Sequence, residues 1–198
     1  MSELTLRPEV AADGAAVERV VRAAFGEHDP AEGDQVARLV HALHAGGSAR
    51  GGVVAETGGD VVGHVLLSRG WVDARDRLVE VLVLSPLSVL PRHQGVGIGT
   101  ALVAEAISIA DTSGAPALFL EGSPQYYGAR GFEPGSRHGF GRPSPRIPEA
   151  AFQVRLLAAH EPTMTGPLVY CEAFWAHDSV GLRDPVLAQL EASLRTDD

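Results

Sequence analysis

The 198-residue sequence predicts a single α/β domain, a mixed sheet with helices interleaved. Three observations lead there. Runs rich in β-formers alternate along the chain with runs of helical period. No internal repeat, long charged block or linker-like stretch divides it. A composition 45% hydrophobic and 21% charged is that of an ordinary folded globule, and this length supports a sizeable core. One domain is expected over residues 1–198, with a core over about 3–157 and late strands and a terminal helix over 158–198.

The elements follow in order. Leu4-Thr5-Leu6 alternates with polar neighbours and reads as a short strand. Asp13 starts a helix whose apolar positions Val17, Val20, Val21, Ala24 and Phe25 keep helical spacing. Pro30 and Gly33 mark a loop, and a second amphipathic helix carries Val36, Leu39, Val40 and Leu43 to Gly46-Gly47. Two β-rich runs, Val53-Val54-Ala55-Glu56 and Val61 to Trp71, flank Gly58-Gly59-Asp60, a hairpin signature. Leu78 to Leu84 is apolar enough for a strand buried on both faces. Pro86 interrupts it before Leu87-Ser88-Val89-Leu90, and since proline cannot donate to a ladder, a bulge or splayed strand is expected there. A third helix runs from about Gly97 to Thr112, then a strand over Pro116 to Glu121 and a short helix over Gln125 to Ala129. Gly135 to Pro148 reads as a long surface loop, Phe152 to Leu157 and Leu168 to Cys171 as late strands, and Val186 to Leu194 as a terminal helix.

Lys and Arg total 16 against 25 Asp and Glu, a formal net charge of -9. That sign disfavours nucleic acid or an anionic membrane surface as partner and tilts toward cationic small molecules such as amines. The lone Cys171 excludes an intramolecular disulfide and Cys-rich metal sites, and fits a reducing cytosol. Met1-Ser2-Glu3-Leu4 has neither the basic nor the apolar region of a secretory signal, and no apolar run reaches bilayer-spanning length. A cytoplasmic location is expected.

The chemistry concentrates in Gln94-Gly95-Val96-Gly97-Ile98-Gly99-Thr100, between a strand and a helix. Glycines at alternate positions leave backbone N–H groups uncovered, and the first turn of a helix adds unpaired donors and a positive dipole end. Such a row cradles phosphate. A P-loop would need Lys-Ser/Thr after the last glycine, whereas Thr100-Ala101 follows. A dinucleotide fingerprint would space its glycines G-x-G-x-x-G, early in the chain, whereas Gly95, Gly97 and Gly99 are evenly spaced in its middle.

The arrangement Gln94-x-x-Gly97-x-Gly99, preceded by Leu87-Ser88-Val89 and Pro91, resembles the acyl-CoA signature of the GNAT superfamily of N-acetyltransferases. Farther on, Tyr126-Tyr127-Gly128-Ala129-Arg130-Gly131-Phe132 is similar to that family's aromatic-Tyr-x-x-x-Gly-Phe motif, and the order of elements matches over Leu4 to Leu157. The paired tyrosines after Gly122-Ser123-Pro124 look like a subgroup of predicted acetyltransferases. The resemblance implies a mostly antiparallel central sheet with splayed central strands and flanking helices. It implies acetyl-CoA as acetyl donor, its diphosphate on Gly95, Val96, Gly97, Ile98, Gly99 and Thr100 beside Gln94, its pantetheine arm along Leu87, Ser88 and Val89, and no metal. An amine attacks the thioester directly in a ternary complex; Tyr127 matches the family's general acid, and Glu121 ends a strand where some relatives place a general base. The loop from Glu121 to Tyr127 is shorter than in many relatives and lacks their asparagine. The acceptor is a small-molecule or peptide amine. The segment from Gly135 onward is expected either to close the acceptor side or to join two copies in a homodimer.

The remaining candidates carry less. His41 and His44 stand three apart on the second helix without a carboxylate or third ligand, so a solvated face is expected. His64 inside a strand reads as a hydrogen-bonded structural residue, and His93 touches phosphate or solvent. Ser68, Ser85 and Ser123 lack a nucleophile elbow. Arg137, Arg142 and Arg146 form a loose basic loop. The alternative to an enzyme is a non-catalytic acyl-CoA-binding sensor or scaffold.

Overall fold

The structure, a computed structural model, describes residues 3–196; Met1, Ser2 and the last two positions of the expected domain lie outside them. In chain order the elements are β1 (Leu4–Pro8), α1 (Gly14–Phe25), α2 (Pro30–Ala45), β2 (Ala49–Thr57), β3 (Asp60–Asp73), β4 (Leu78–Val89), α3 (Ile98–Thr112), β5 (Ala117–Glu121), α4 (Pro124–Gly128), β6 (Glu133–Pro134), β7 (Phe140–Gly141), β8 (Phe152–Leu156), β9 (Gly166–Tyr170), α5 (Glu172–Ala176) and α6 (Val186–Thr196). The sheet runs β1-β2-β3-β4-β5-β8-β6. Every neighbouring pair along it is antiparallel except β4 and β5, which are parallel. Strand β9 pairs with the far end of β3 at Gly70, Trp71 and Val72, and β7 runs parallel to β9. No helix among the described residues is long and apolar enough to cross a membrane.

The β2–β3 hairpin closes through Gly58 and Gly59, both at positive φ, with Thr57 opposite Asp60. At the junction of α1 and α2 the sequence reading needs correction. Pro30 and Gly33 do not lie in a loop but in the first turn of α2, which Asp29 caps by accepting from the Ala31 N–H at 2.9 Å. Glycine is required at 33 because a Cβ there would stand 2.6 Å from the Arg22 carbonyl oxygen and 3.0 Å from Gly26 Cα. Close packing of two helices, not a turn, selects it.

Strand β4 is continuous from Leu78 to Val89 but slips register against β3 between Leu84 and Leu87, the bulge expected at Pro86. Its pairing with β5 is confined to Leu82–Leu118 and Val83–Phe119. Beyond Val83, β4 stays with β3 while β5 stays with β8 to its last residue, so the two central strands part. On one face α3 lies so close that a Cβ on Gly63 would meet Leu102 at 2.9 Å and Ile98 at 3.1 Å.

The stretch from Gly135 to Pro148 is also more than a surface loop. Phe140 and Ile147 are buried, Phe140 stands edge-on to Phe119 at 4.9 Å between centroids, and β7 within it joins β9. Aromatic burial anchors a segment whose Gly and Pro content suggested exposure.

One ion-pair network ties the first strand to the first helix. Arg7 donates to both carboxylate oxygens of Asp13 at 2.7 and 2.8 Å and to Glu56 at 2.6 Å, and Asp13 also accepts from the Val10 N–H at 2.8 Å. The Arg7 hydrogen bonds hold the Asp13 carboxyl down at about 2. A depressed carboxyl stabilises the fold fully above the unfolded-state aspartate pKa of about 3.9. That contribution is lost as the pH falls through about 2. Asp13→Asn is therefore expected to lower the urea midpoint at pH 7 and hardly change it near pH 2; an equal loss at both would mean that the side chain acts through packing alone.

Candidate functional site

At the parting of the central strands, β4 presents an unpaired edge. The Leu90 N–H is spent on the Val62 carbonyl of β3 at 2.9 Å. Successive residues of a strand direct their N–H and C=O to opposite edges, so the Val89 N–H faces the edge that β5 has left. The Val89 carbonyl on that same edge accepts from the Gln94 side-chain amide at 3.0 Å, which braces the following loop.

That loop leads into α3. Gly95 and Gly97 adopt φ of 74° and 95°, conformations that favour glycine. The first i to i−4 bond of α3 is Ala101 N–H to the Gly97 carbonyl at 3.0 Å, so the N–H groups of Ile98, Gly99 and Thr100 precede any intrahelical partner. A cavity of about 530 Å³ opens in front of them, lined by Leu87, Val89, Gln94, Gly95, Gly97, Gly99 and Thr100 together with Tyr126 and Arg130. The other three residues assigned to this site from sequence turn their side chains elsewhere. Ser88 faces the opposite side of the sheet and donates to the His64 carbonyl at 3.4 Å, as strand alternation dictates. Ile98 is buried in the core, and Val96 is 74% exposed.

Tyr126 and Arg130 were not among the site residues expected from sequence. Tyr126 stands on the short helix α4 and Arg130 in the turn that follows it, so helical spacing gave no firm sign that both face one way. The Arg130 guanidinium lies 3.5 Å from the Tyr126 ring centroid and donates to the Tyr126 carbonyl and to Thr100 Oγ1. The Tyr126 hydroxyl reaches Gly99 so closely that a Cβ there would stand 2.7 Å from it.

Tyr127 is not among the lining residues of that cavity. Its ring covers Gly122, where a Cβ would stand 2.4 Å away, and it meets Tyr126 and Phe132 edge-on at 4.9 and 5.8 Å. Burial, with help from Tyr126 and against the pull of Arg130, pushes its phenol up to about 12.

Glu121 ends β5, where the central strands have separated. One carboxylate oxygen accepts from the Tyr170 hydroxyl at 2.7 Å and the other from the Gly181 N–H at 3.1 Å. Burial raises its pKa, outweighing these two bonds and the charge of Arg146. The segment 177–183 that supplies Gly181 is tied down on two further sides. Arg146 pairs with Asp178 at 3.2 Å, and Gln35 of α2 donates to the Asp178 carbonyl at 2.9 Å.

A second and larger cleft, of about 980 Å³, lies between α1, α2 and the start of β2 and shares no lining residue with the first. Glu9 on its wall bridges the buried His64, at 3.0 Å, and the half-exposed His44, at 3.2 Å. Burial works to raise the Glu9 pKa, but the hydrogen bond from His64 and the nearness of the two histidines lower it on balance. His41 and His44 both lie on the exposed face of α2, as expected, and His44 in addition pairs with Glu9. No group of three or more potential metal ligands occurs among the described residues.

Comparison with known proteins bears on both the fold and the first cavity. The Acetyltransferase (GNAT) family profile matches residues 16–134. The chain is 32% identical over 160 residues to the uncharacterized N-acetyltransferase YjhQ of Escherichia coli K12, which spans 78% of this chain and 84% of that protein. It is similar to the solved GNAT family N-acetyltransferase YhbS of Escherichia coli in complex with CoA, with 28% identity, a TM-score of 0.76 and coverage of 88% of this chain and 93% of that one. A GNAT family acetyltransferase from Brucella melitensis in complex with acetyl-CoA gives 29% identity, a TM-score of 0.69 and coverage of 88% and 99%.

The surroundings of Glu121 allow a measurement independent of these likenesses. Carboxyl carbon NMR is expected to show Glu121 titrating above the ordinary glutamate range. Tyr170→Phe, which removes a hydrogen bond to the charged form, should move it higher still. A downward move in that variant would contradict the assignment of the bond.

Proposed function

The chain belongs to the GNAT acetyltransferase family, and from that premise we propose that it moves acetyl from acetyl-CoA to a primary amine by direct attack in a ternary complex. The observation that carries the reading is the vacated edge of β4 running into the unpaired N–H groups of α3. The cavity beside them is lined by residues that resemble an acyl-CoA signature, and the two similar structures hold CoA and acetyl-CoA.

The diphosphate sits on the N–H groups of Ile98, Gly99 and Thr100, and the pantetheine arm adds as a strand to the free edge of β4. The outward N–H of Val89 then polarises the thioester carbonyl. The acceptor reaches the site as an ammonium and must lose a proton before it attacks. Glu121, with a pKa raised by burial, takes that proton directly or through water. The amine nitrogen bonds to the carbonyl carbon, the carbon–sulfur bond breaks, Tyr127 gives a proton to the departing thiolate, and the second proton shed by the nitrogen passes through water and restores the phenol. A phenol raised to about 12 begins every turnover protonated. The acceptor is a small-molecule or peptide amine.

One observation favours a second reading, a sensor that binds acyl-CoA without turnover. Both oxygens of Glu121 already accept hydrogen bonds from the protein. A thiol-release assay with acetyl-CoA against a broad amine panel, with a no-acceptor control, separates the two. Acceptor-dependent release supports the enzyme, and CoA binding with no release from any amine supports the sensor.

Two variants probe the parts. Tyr127→Phe is expected to lower kcat by about a hundredfold or more while leaving acetyl-CoA affinity within about twofold; unchanged turnover with a good acceptor would remove Tyr127 from the acid role. Gly97→Val places a β-branched residue at φ 95° beside the cavity and is expected to weaken CoA binding by about tenfold or more in calorimetry. Equal affinity would mean that the cradle is elsewhere.

A further inference from the structure

The cavity at the head of α3 contains one side-chain cation, and its geometry is that of a charge held ready rather than one already used. Arg130 lies in the turn that follows α4, with its guanidinium carbon over the Tyr126 ring, 3.5 Å from the centroid. One terminal nitrogen donates to the Tyr126 carbonyl and the other to Thr100 Oγ1 in the first turn of α3. Its Nε is buried and makes no hydrogen bond. None of the carboxylates in the described residues forms a salt bridge with it, although the protein carries 25 Asp and Glu against 16 Lys and Arg. Arg7, Arg22, Arg50, Arg77, Arg142, Arg146 and Arg183 pair with acids; other arginines share the lack of a carboxylate partner, but Arg130 alone of the arginines lines this cavity.

We propose that Arg130 is the side-chain ligand of the cofactor's diphosphate, and that it makes the site discriminate nucleotide-bearing CoA thioesters from thioesters of bare pantetheine. The inference rests on the acetyl-CoA reading above and adds to it a specificity residue. Two neutral oxygens occupy the terminal nitrogens of a guanidinium that carries five N–H donors and never loses its charge. Phosphate oxygens are the stronger acceptors for that fork, so a diphosphate arriving on the α3 N–H groups takes over the bond now made to Thr100. The anchor on Thr100 also selects which phosphate is read. It holds the cation over the first helical turn, where the diphosphate sits, whereas the 3′-phosphate of CoA lies a ribose further along the ligand. Tyr126 acts as the platform: stacking fixes the plane of the guanidinium, and Gly99 leaves room for the tyrosine to approach. The compact ammonium of a lysine, on a flexible stem, would keep the charge but lose both the fork and the stacking.

The test compares wild type with Arg130→Gln and Arg130→Lys by calorimetry against CoA, 3′-dephospho-CoA and S-acetylpantetheine, with melting curves to confirm folding. Arg130→Gln is expected to weaken CoA and 3′-dephospho-CoA by the same factor, about 10- to 100-fold, and to leave S-acetylpantetheine unchanged, with Arg130→Lys in between. Retained affinity for 3′-dephospho-CoA alone would assign the contact to the 3′-phosphate and overturn the proposal. So would equal loss on all three ligands, which marks a merely structural role, or no loss on any. A wild type that fails to bind CoA would instead sink the acetyl-CoA reading itself, whereas a wild type that binds beside an unaffected variant sinks only the role of Arg130.

Discussion

Strand β4 pairs with β3 on both sides of the bulge at Pro86 but gives up β5 after Val83, and the rest of the molecule is arranged around that separation. Backbone N–H and C=O groups in a folded interior must find partners. A central strand stripped of one neighbour is therefore either a defect or a template for something strand-like. Here the open edge at Leu87 and Val89 leads, through a short loop braced by its own hydrogen bonds, to a helix start whose first N–H groups have no intrahelical partner.

The surroundings stabilise the parting from both sides. The register slip at Pro86 turns β4 with β3, while β5 pairs along its whole length with β8. Phe119 and Phe152 stack at 5.7 Å between centroids and reinforce that second pair. The late segments then take hold of the tip of β5. Tyr170 and Gly181 both bind Glu121, and 177–183 is fastened to Arg146 and to α2. The carboxylate proposed to handle the acceptor's proton is thus held by the same segment that walls that end of the sheet. Any movement of 177–183 would be felt at Glu121.

Net charge and local charge serve different ends. A formal charge of -9 repels polyanions at a distance, yet the cavity at the head of α3 presents N–H groups, a positive helix end and a guanidinium with no carboxylate partner among the described residues. The phosphate binding proposed for this cavity rests on short-range geometry rather than on the field of the whole protein. The Glu9–His64–His44 cluster lies away from this cavity, on the other cleft, and gives the buried His64 a hydrogen-bond partner.

The order and type of the main elements, the hairpin at Gly58-Gly59, the bulge at Pro86 and the glycine row before α3 were legible in the chain, because each is a local matter of period, turn chemistry or missing Cβ. Several features were not. Gly33 resembles a loop glycine, but only the approach of α1 to α2 explains it. Phe140 and Ile147 sit in a stretch whose composition suggests exposure, and their burial depends on strands far away in sequence. Short pairs such as β6 and the brief α5 carry too few residues for any periodicity to show. The chain by itself determined which residues supply bare main-chain donors, since that depends on glycine positions and helix starts. Only the tertiary structure decided that Arg130 and Tyr126 join them, that Ser88 turns away and that Glu121 is bound by Tyr170 and Gly181, because a side chain's partner is set by what packs across the sheet.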